Sequence, residues 1–312
     1  MPVLESGEEP TLVGGQAVLE GVMMRAPHSY CIAVRKPSGE MVTEQQAIPR
    51  MSEKYPIFKY PVLRGVGTLG QAMQLGFKSL NFSMNAALED EMKDDKAKAE
   101  GKSAKAVGPW MMGLNILFSV GFFLFMYKFV PLFLAERIAT GRFAINMWDG
   151  ALRLVIFLSF LFMLSLMKDI RRVFEYHGAE HKVVFNFESG QPVNVENAQK
   201  FVTFHPRCGT SFLVVLMVIA MIVYALLPID GFWLKFAARI VLLPFIIGLS
   251  YELIRFAAKR QGSLMGTLTA PGLWLQRITT KPPDNSQAEV AIHALQGAMA
   301  LEEKQGGELV IA

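Results

Sequence analysis

Three of the chain's five histidines and one of its two cysteines fall between Tyr176 and Ser211. The stretch opens Tyr176-His177-Gly178-Ala179-Glu180-His181-Lys182 and ends His205-Pro206-Arg207-Cys208-Gly209-Thr210-Ser211. His177 and His181 are four residues apart, so on a helix they share a face. Two neutral imidazoles at that spacing reach one metal ion, zinc in the first instance, and Glu180 beside them is placed to act as general base on a metal-bound water. This is the H-x-x-E-H pattern of one class of zinc peptidases. That class takes a third ligand from a distant downstream glutamate, and Glu252 is the candidate here. His205 and Cys208 offer a competing set, which with His177 and His181 closes a His3Cys tetrahedron. Four protein ligands make a structural site, whereas an open position makes a catalytic one, and both sets stay open at this level. Gly178 argues against a rigid helix through the motif. Cys208 also reads as a small buried hydrophobe, and the histidines as lipid-phosphate partners or helix caps.

A second polar element is Gly14-Gly15-Gln16-Ala17-Val18-Leu19-Glu20-Gly21-Val22-Met23-Met24-Arg25. It lacks the Gly-Lys-Ser/Thr ending of a phosphate loop, which excludes ATP binding of that kind. Gln16, Glu20 and Arg25 are its candidate polar partners. The plain alternative is a tight turn followed by a packed strand or short helix. Lys59 to Gly65 reads as a structural turn.

The elements that must position these residues are strongly apolar. Hydrophobic residues make up 52% of the 312, against 19% charged, which excludes a disordered chain. The apolar residues gather into runs. Trp110 to Tyr127 carries no charge, and the run resumes after Lys128 as far as Ala135; Leu154 to Met167 and Cys208 to Ile229 are also uncharged. Phe236 to Leu253 is apolar apart from Arg239 and Glu252, and contains Pro244. A helix needs about 20 apolar residues to cross hydrocarbon. The expected architecture is therefore a mainly α polytopic membrane protein with four transmembrane helices, at about 108–134, 151–168, 208–229 and 233–253. Pro244 should kink or break the fourth, so a re-entrant segment is the main alternative there. Trp110, Tyr127, Trp148, Tyr224, Trp233 and Tyr251 lie near the expected span ends, as interfacial anchors do.

Lys and Arg concentrate before the first run, between the second and third, and after the fourth. Only Arg137 and Arg142 lie between the first and second. This places both termini and the loop 169–207 in the cytoplasm. Residues 1–88 form a small cytoplasmic part with a β-hairpin around Pro37-Ser38-Gly39 and an amphipathic helix over 65–87. Residues 89–106 read as a charged linker, and 261–312 as a cytoplasmic tail whose stretch 286–303 is weakly helical and peripheral. The acidic N-terminus does not read as a signal peptide. The net charge of +4 with no Arg-rich arm points away from nucleic acid. Two cysteines make no disulfide framework and favour a reducing compartment.

Taken together, Gly14–Arg25, Pro61–Gly65, Tyr176–Lys182, His205–Ser211 and the run Pro271-Gly272-Leu273-Trp274-Leu275-Gln276-Arg277-Ile278-Thr279-Thr280 resemble a family of bacterial multi-pass inner-membrane proteins of unknown function, DUF1385-like. The resemblance spans about residues 12–295. It implies a bacterial inner-membrane location and brings no assigned reaction. The function expected first is a non-enzymatic membrane assembly or scaffold factor, with the His/Glu/Cys cluster on its cytoplasmic face. Its expected partners are the lipid bilayer, a protein at that face and further copies of itself. The alternative is a metal-dependent hydrolase with a membrane-proximal substrate, in which Glu180 is catalytic and His177, His181, His205, Cys208 and Glu252 are the candidate ligands. Transport is a third reading, for which a four-span monomer is small.

Overall fold

The computed structural model describes residues 13–96, 109–206, 208–259 and 263–304. The chain begins with an antiparallel meander, β1 (Gly14–Val18), β2 (Gly21–Arg25), β3 (Ser29–Arg35) and β4 (Met41–Ala47), paired in that order. The hairpin expected around Pro37-Ser38-Gly39 is the β3–β4 pair, with Arg35 opposite Met41. The Gly14–Arg25 element is the β1–β2 hairpin, with Gly14 opposite Arg25. Side chains alternate between the two faces, as the strand period of two requires. Val22, Met24, Cys31 and Ala33 pack on one face, and Met23, Tyr30, Ile32 and Val34 on the other. Both faces are covered, which is why β3 reads as an almost unbroken apolar run.

A short helix α1 (Met51–Lys54) and a 3-10 turn (Pro56–Lys59) lead into the long helix α2 (Leu63–Lys96). Helix α2 includes the expected amphipathic segment and lays Leu75, Phe82 and Ala86 against the second face of the sheet. A different side of α2 leaves Met73, Phe77, Leu80, Met84 and Leu88 exposed. The expected linker 89–106 begins inside this helix, and beyond Lys96 it lies outside the described residues. So do 1–12, 305–312, and Arg207 and Arg260 of the flanking charges.

Helix α3 (Pro109–Leu124) passes through a π turn (Phe125–Phe129) into α4 (Val130–Ile138), followed by α5 (Arg142–Ser165) and α6 (Lys168–Glu188). After the short α7 (Val195–Gln199) come α8 (Gly209–Leu226), α9 (Phe232–Val241), α10 (Leu243–Lys259), α11 (Ser263–Thr279) and α12 (Asn285–Lys304). Among the described residues three helices are long and apolar enough to cross a membrane: Leu117–Ile138, Arg142–Ser165 and Gly209–Leu226. The pair α9–α10 makes a fourth if it counts as one span. It bends by 51° at Leu242, beside Pro244, as expected from the ring and the missing N–H of proline. These helices bury little of their surface within the chain; Phe118, Phe143, Val155, Phe162 and Met163 are all exposed.

Three expectations change. Helix α5 starts at Arg142 rather than near 151, so Asn146, Asp149 and Arg153 lie inside it, buried on one face. Tyr224 is not an interfacial anchor: it is 4% exposed, and its hydroxyl donates to the Arg239 carbonyl at 3.1 Å. The segment 286–303 is not peripheral. As part of α12 it packs on β2, β3, β4 and α6, and buries Ala288, Ala291, Ala294, Leu295 and Ala298. Its run of alanines brings the helix close to the sheet, and the same small side chains weaken the apolar periodicity that would have marked a core helix.

Candidate metal centre

Helix α6 carries the H-x-x-E-H motif and runs unbroken through Gly178. Glycine serves a close approach here. A Cβ at Gly178 would collide with the Lys281 carbonyl oxygen, while Thr203 Cγ2 lies 3.3 Å from the same point. The segment following α11 is thus pressed against α6, and the Lys281 amide donates to the Phe174 carbonyl at 2.9 Å. The expectation that Gly178 loosens the helix gives way to a packing role.

That close approach orients both motif histidines. His177 Nδ1 lies 2.8 Å from the Thr279 carbonyl oxygen, and His181 Nδ1 lies 2.5 Å from the Thr203 carbonyl oxygen. A carbonyl only accepts, so each Nδ1 carries a proton, and the neutral tautomer this selects has its lone pair at Nε2. His177 Nε2 sits 3.3 Å from Cys208 Sγ. His181 is 1% exposed, and its Nε2 is buried without a hydrogen-bond partner. One ligand atom from each of His177, His181 and Cys208 falls within 4.8 Å of the others. Tetrahedral zinc with nitrogen ligands at ~2.0–2.1 Å and sulfur at ~2.3 Å sets these separations at roughly 3.3–3.6 Å. The widest of the three separations therefore needs to shorten by roughly 1.2–1.5 Å. Holding the remote ring nitrogen on a backbone carbonyl is the usual way that ligating histidines are fixed.

Glu180 sits on the same turn, 6% exposed, with Oε2 3.4 Å from His181 Nε2. Its Cγ fills the space a Cβ at Gly15 would need, at 2.7 Å. Gly15 of the β1–β2 hairpin thus makes room for the carboxylate. These groups open on a cavity of about 300 Å3 walled by β1, α6 and the start of α8.

His205 lines this cavity too, with its ring centroid 5.6 Å from that of His181 and its Nε2 3.7 Å from Glu188 Oε2. Gln276 fixes its backbone, accepting from the His205 amide at 2.7 Å and donating to its carbonyl at 2.8 Å. Burial holds the His205 imidazole below its ordinary range, with the Glu180 charge opposing.

Glu252, Glu20 and Arg25 go elsewhere. The Glu252 carboxylate is engaged by the Arg64 guanidinium and the Val62 amide on the α2 side and does not line the cavity. Glu20 pairs with Arg172 and accepts from the Tyr176 hydroxyl at 3.3 Å, pinning the β1–β2 turn to α6. Arg25 donates to Gln71 Oε1 at 2.5 Å. Gln16 borders the cavity from β1.

Sequence reasoning missed the carbonyls of Thr203 and Thr279, which no residue type signals. It also missed a buried charge network. Asp149 receives Arg153 at 2.9 Å and Arg239 at 2.9 Å, and Arg239 also donates to Asn146 Oδ1 at 2.7 Å. The spacing of Asn146, Asp149 and Arg153 along one helix face was the available signal.

The DUF1385 profile, described as a protein of unknown function, matches residues 60–301. An uncharacterised protein of Bacillus subtilis (strain 168), YqhQ, is 35% identical over 301 residues, covering 94% of each chain. No solved structure matches. Matched by the family profile over most of its length, and by this relative over nearly all of it, the chain belongs to the DUF1385 family of proteins of unknown function.

Proposed function

We propose that the chain is a bacterial integral membrane protein whose His177, His181 and Cys208 hold a zinc ion in a hydrolytic centre at the cytoplasmic membrane face. The chain ending in α4, α5, α8 and the bent α9–α10 pair serve as four spans of an inner-membrane protein, with both termini cytoplasmic. The exposed apolar faces of these helices and the Lys/Arg flanks support that placement. The observation that carries the metal reading is the aim of the donors. Both histidines commit Nδ1 to a backbone carbonyl, His177 turns its Nε2 to within 3.3 Å of the Cys208 thiol, and one ligand atom from each of His177, His181 and Cys208 lies within 4.8 Å of the others.

Three protein ligands leave a fourth position for water or substrate, which is the pattern of catalytic zinc. Zinc in such a site lowers the pKa of a bound water to about 7. Glu180 is the group in reach to accept the proton from the attacking water and return it to the leaving group. The Thr203 and Thr279 carbonyls hold the imidazoles in one tautomer. The cavity's place at the start of α8, one of the long apolar helices, supports a membrane-proximal substrate.

A second reading has one observation in its favour, the place of His205 in the same cavity. If His205 swings in, four protein ligands close the site and the metal becomes structural, in keeping with an assembly or scaffold role. Glu180→Gln separates the two. Under the hydrolytic reading the variant keeps its zinc and fails to complement a deletion strain. Full complementation with zinc intact would remove Glu180 as a base and leave the structural reading.

A further inference from the structure

A second cavity, of about 770 Å3, adjoins the histidine cavity; Val13, Gly14, Gly15 and Gln16 line both. Among the described residues its lining includes Arg25, Arg50, Lys59, Arg64 and Arg255, and no carboxylate. Glu252 is engaged with Arg64, and Glu53 accepts from the Arg50 amide at 2.9 Å. Arg25 has a neutral partner in Gln71. Its guanidinium is held below the usual range, first by burial and then by the charge of Arg50. Five cations against two nearby acids, Glu252 and Glu53, leave an excess of positive charge in a partly buried space, and an anion entering that space relieves it. Guanidinium groups match phosphate oxygens in planar, bidentate geometry.

A third space, an apolar groove of about 380 Å3, runs along α2 and is walled by Leu69, Met73, Phe77 and Leu80. Gln16 and Ala72 line both this groove and the basic cavity, and Gln16 borders all three spaces. Basic cavity, histidine cavity and apolar groove thus meet at one residue of β1. The Phe77 ring in the groove is 64% exposed, so the wall is open to a ligand arriving from outside.

We propose that the basic cavity binds the phosphate of an anionic membrane lipid, with a hydrocarbon chain in the groove along α2 and the headgroup beside His177, His181 and Cys208. This rests on the reading of the chain as a membrane protein and names the substrate class of its metal centre: phosphate-bearing lipids or lipid-linked precursors. The Arg residues hold the phosphate, and the groove distinguishes a lipid from a free phosphate ion. Arg64 also fixes Glu252, so Arg25 and Arg255 are the better residues to perturb.

The test uses the full chain purified in a nonionic detergent. Binding of dihexanoyl phosphatidic acid, dihexanoyl phosphatidylcholine and inorganic phosphate is measured by native mass spectrometry, with zinc content determined on the same samples. Phosphatidic acid should bind at least tenfold more tightly than either control. Arg255→Gln and Arg25→Gln should each weaken it about tenfold or more with zinc content unchanged. Phe77→Ser should weaken the lipid and leave inorganic phosphate unaffected. Equal affinity for inorganic phosphate would overturn the lipid assignment, and unchanged lipid binding in both Arg variants would overturn the site. Stoichiometric zinc without lipid binding would sink this proposal alone, whereas Arg-dependent lipid binding without zinc would sink only the metal reading.

Discussion

Gly178→Ala puts the packing account of the motif helix to a test of sign. Helix propensity alone makes the substitution favourable by about 1 kcal/mol, since alanine is the better helix former. Packing predicts the reverse. The new Cβ would overlap the Lys281 carbonyl oxygen, which is backbone and cannot rotate aside, and Thr203 Cγ2 closes the other side at 3.3 Å. Relief requires moving the segment after α11 away from α6. That strains two bonds, His177 Nδ1 to Thr279 O at 2.8 Å and the Lys281 amide to Phe174 O at 2.9 Å. Overpacking costs about 1–3 kcal/mol, and each weakened bond adds about 1 kcal/mol. Set against the propensity gain, the net loss is roughly 2–4 kcal/mol. The thermal midpoint in detergent should fall by roughly 3–6 °C, and the loss of His177 orientation should lower zinc affinity about tenfold or more. Thermal unfolding and metal content on one preparation read both. A variant as stable as the parent or more so, with zinc retained, would refute the idea that glycine is there for close approach.

Asp149→Asn leaves Arg153 and Arg239 without their shared carboxylate and should cost about 3–5 kcal/mol. Arg142→Gln, at an exposed pair with Asp230, should cost less than ~1 kcal/mol. Equal losses in chemical denaturation would contradict the burial argument. The two cysteines should differ at pH 8: half-buried Cys208 alkylates and bound zinc protects it, while Cys31 stays unmodified because burial pushes its thiol up to about 11. Cys31 also sets a sign for pH. Above pH ~9 the unfolded thiol ionises and the folded one does not, so stability should fall by roughly 2–3 kcal/mol toward pH 11. Cys31→Ser should flatten that decline, and an unchanged slope would show that Cys31 does not cause it.

The motif histidines were legible because a helical spacing of four residues needs nothing beyond the helix itself. Cys208 was visible as a ligand type, but its choice over Glu252 was not. That choice depends on which side of α10 faces α2, where Arg64 engages Glu252. Gly178 misled because propensity is local and the neighbouring backbone at Lys281 is more than a hundred residues away. Helix α12 was hidden by its alanines, whose burial comes from the sheet they approach rather than from their own hydrophobicity. The three apolar helices were plain from their runs. The start of α5 was not, because Asp149 and Arg153 look like the end of a span until Arg239 arrives from α9 to pair with them. The basic cavity draws on β2, α2, the turn before it and α10, and no sequence window contains it.

The most direct test of the central claim is zinc-edge X-ray absorption on the full chain purified without chelators, with metal quantified on the same sample. One zinc per chain is predicted, with one sulfur at about 2.3 Å and two or three nitrogen or oxygen ligands at about 2.0–2.1 Å. Cys208→Ser should remove the sulfur shell, and His177→Ala or His181→Ala should lower occupancy. No zinc in the parent protein, or a zinc without a sulfur ligand, would contradict the assignment of His177, His181 and Cys208 as a metal centre.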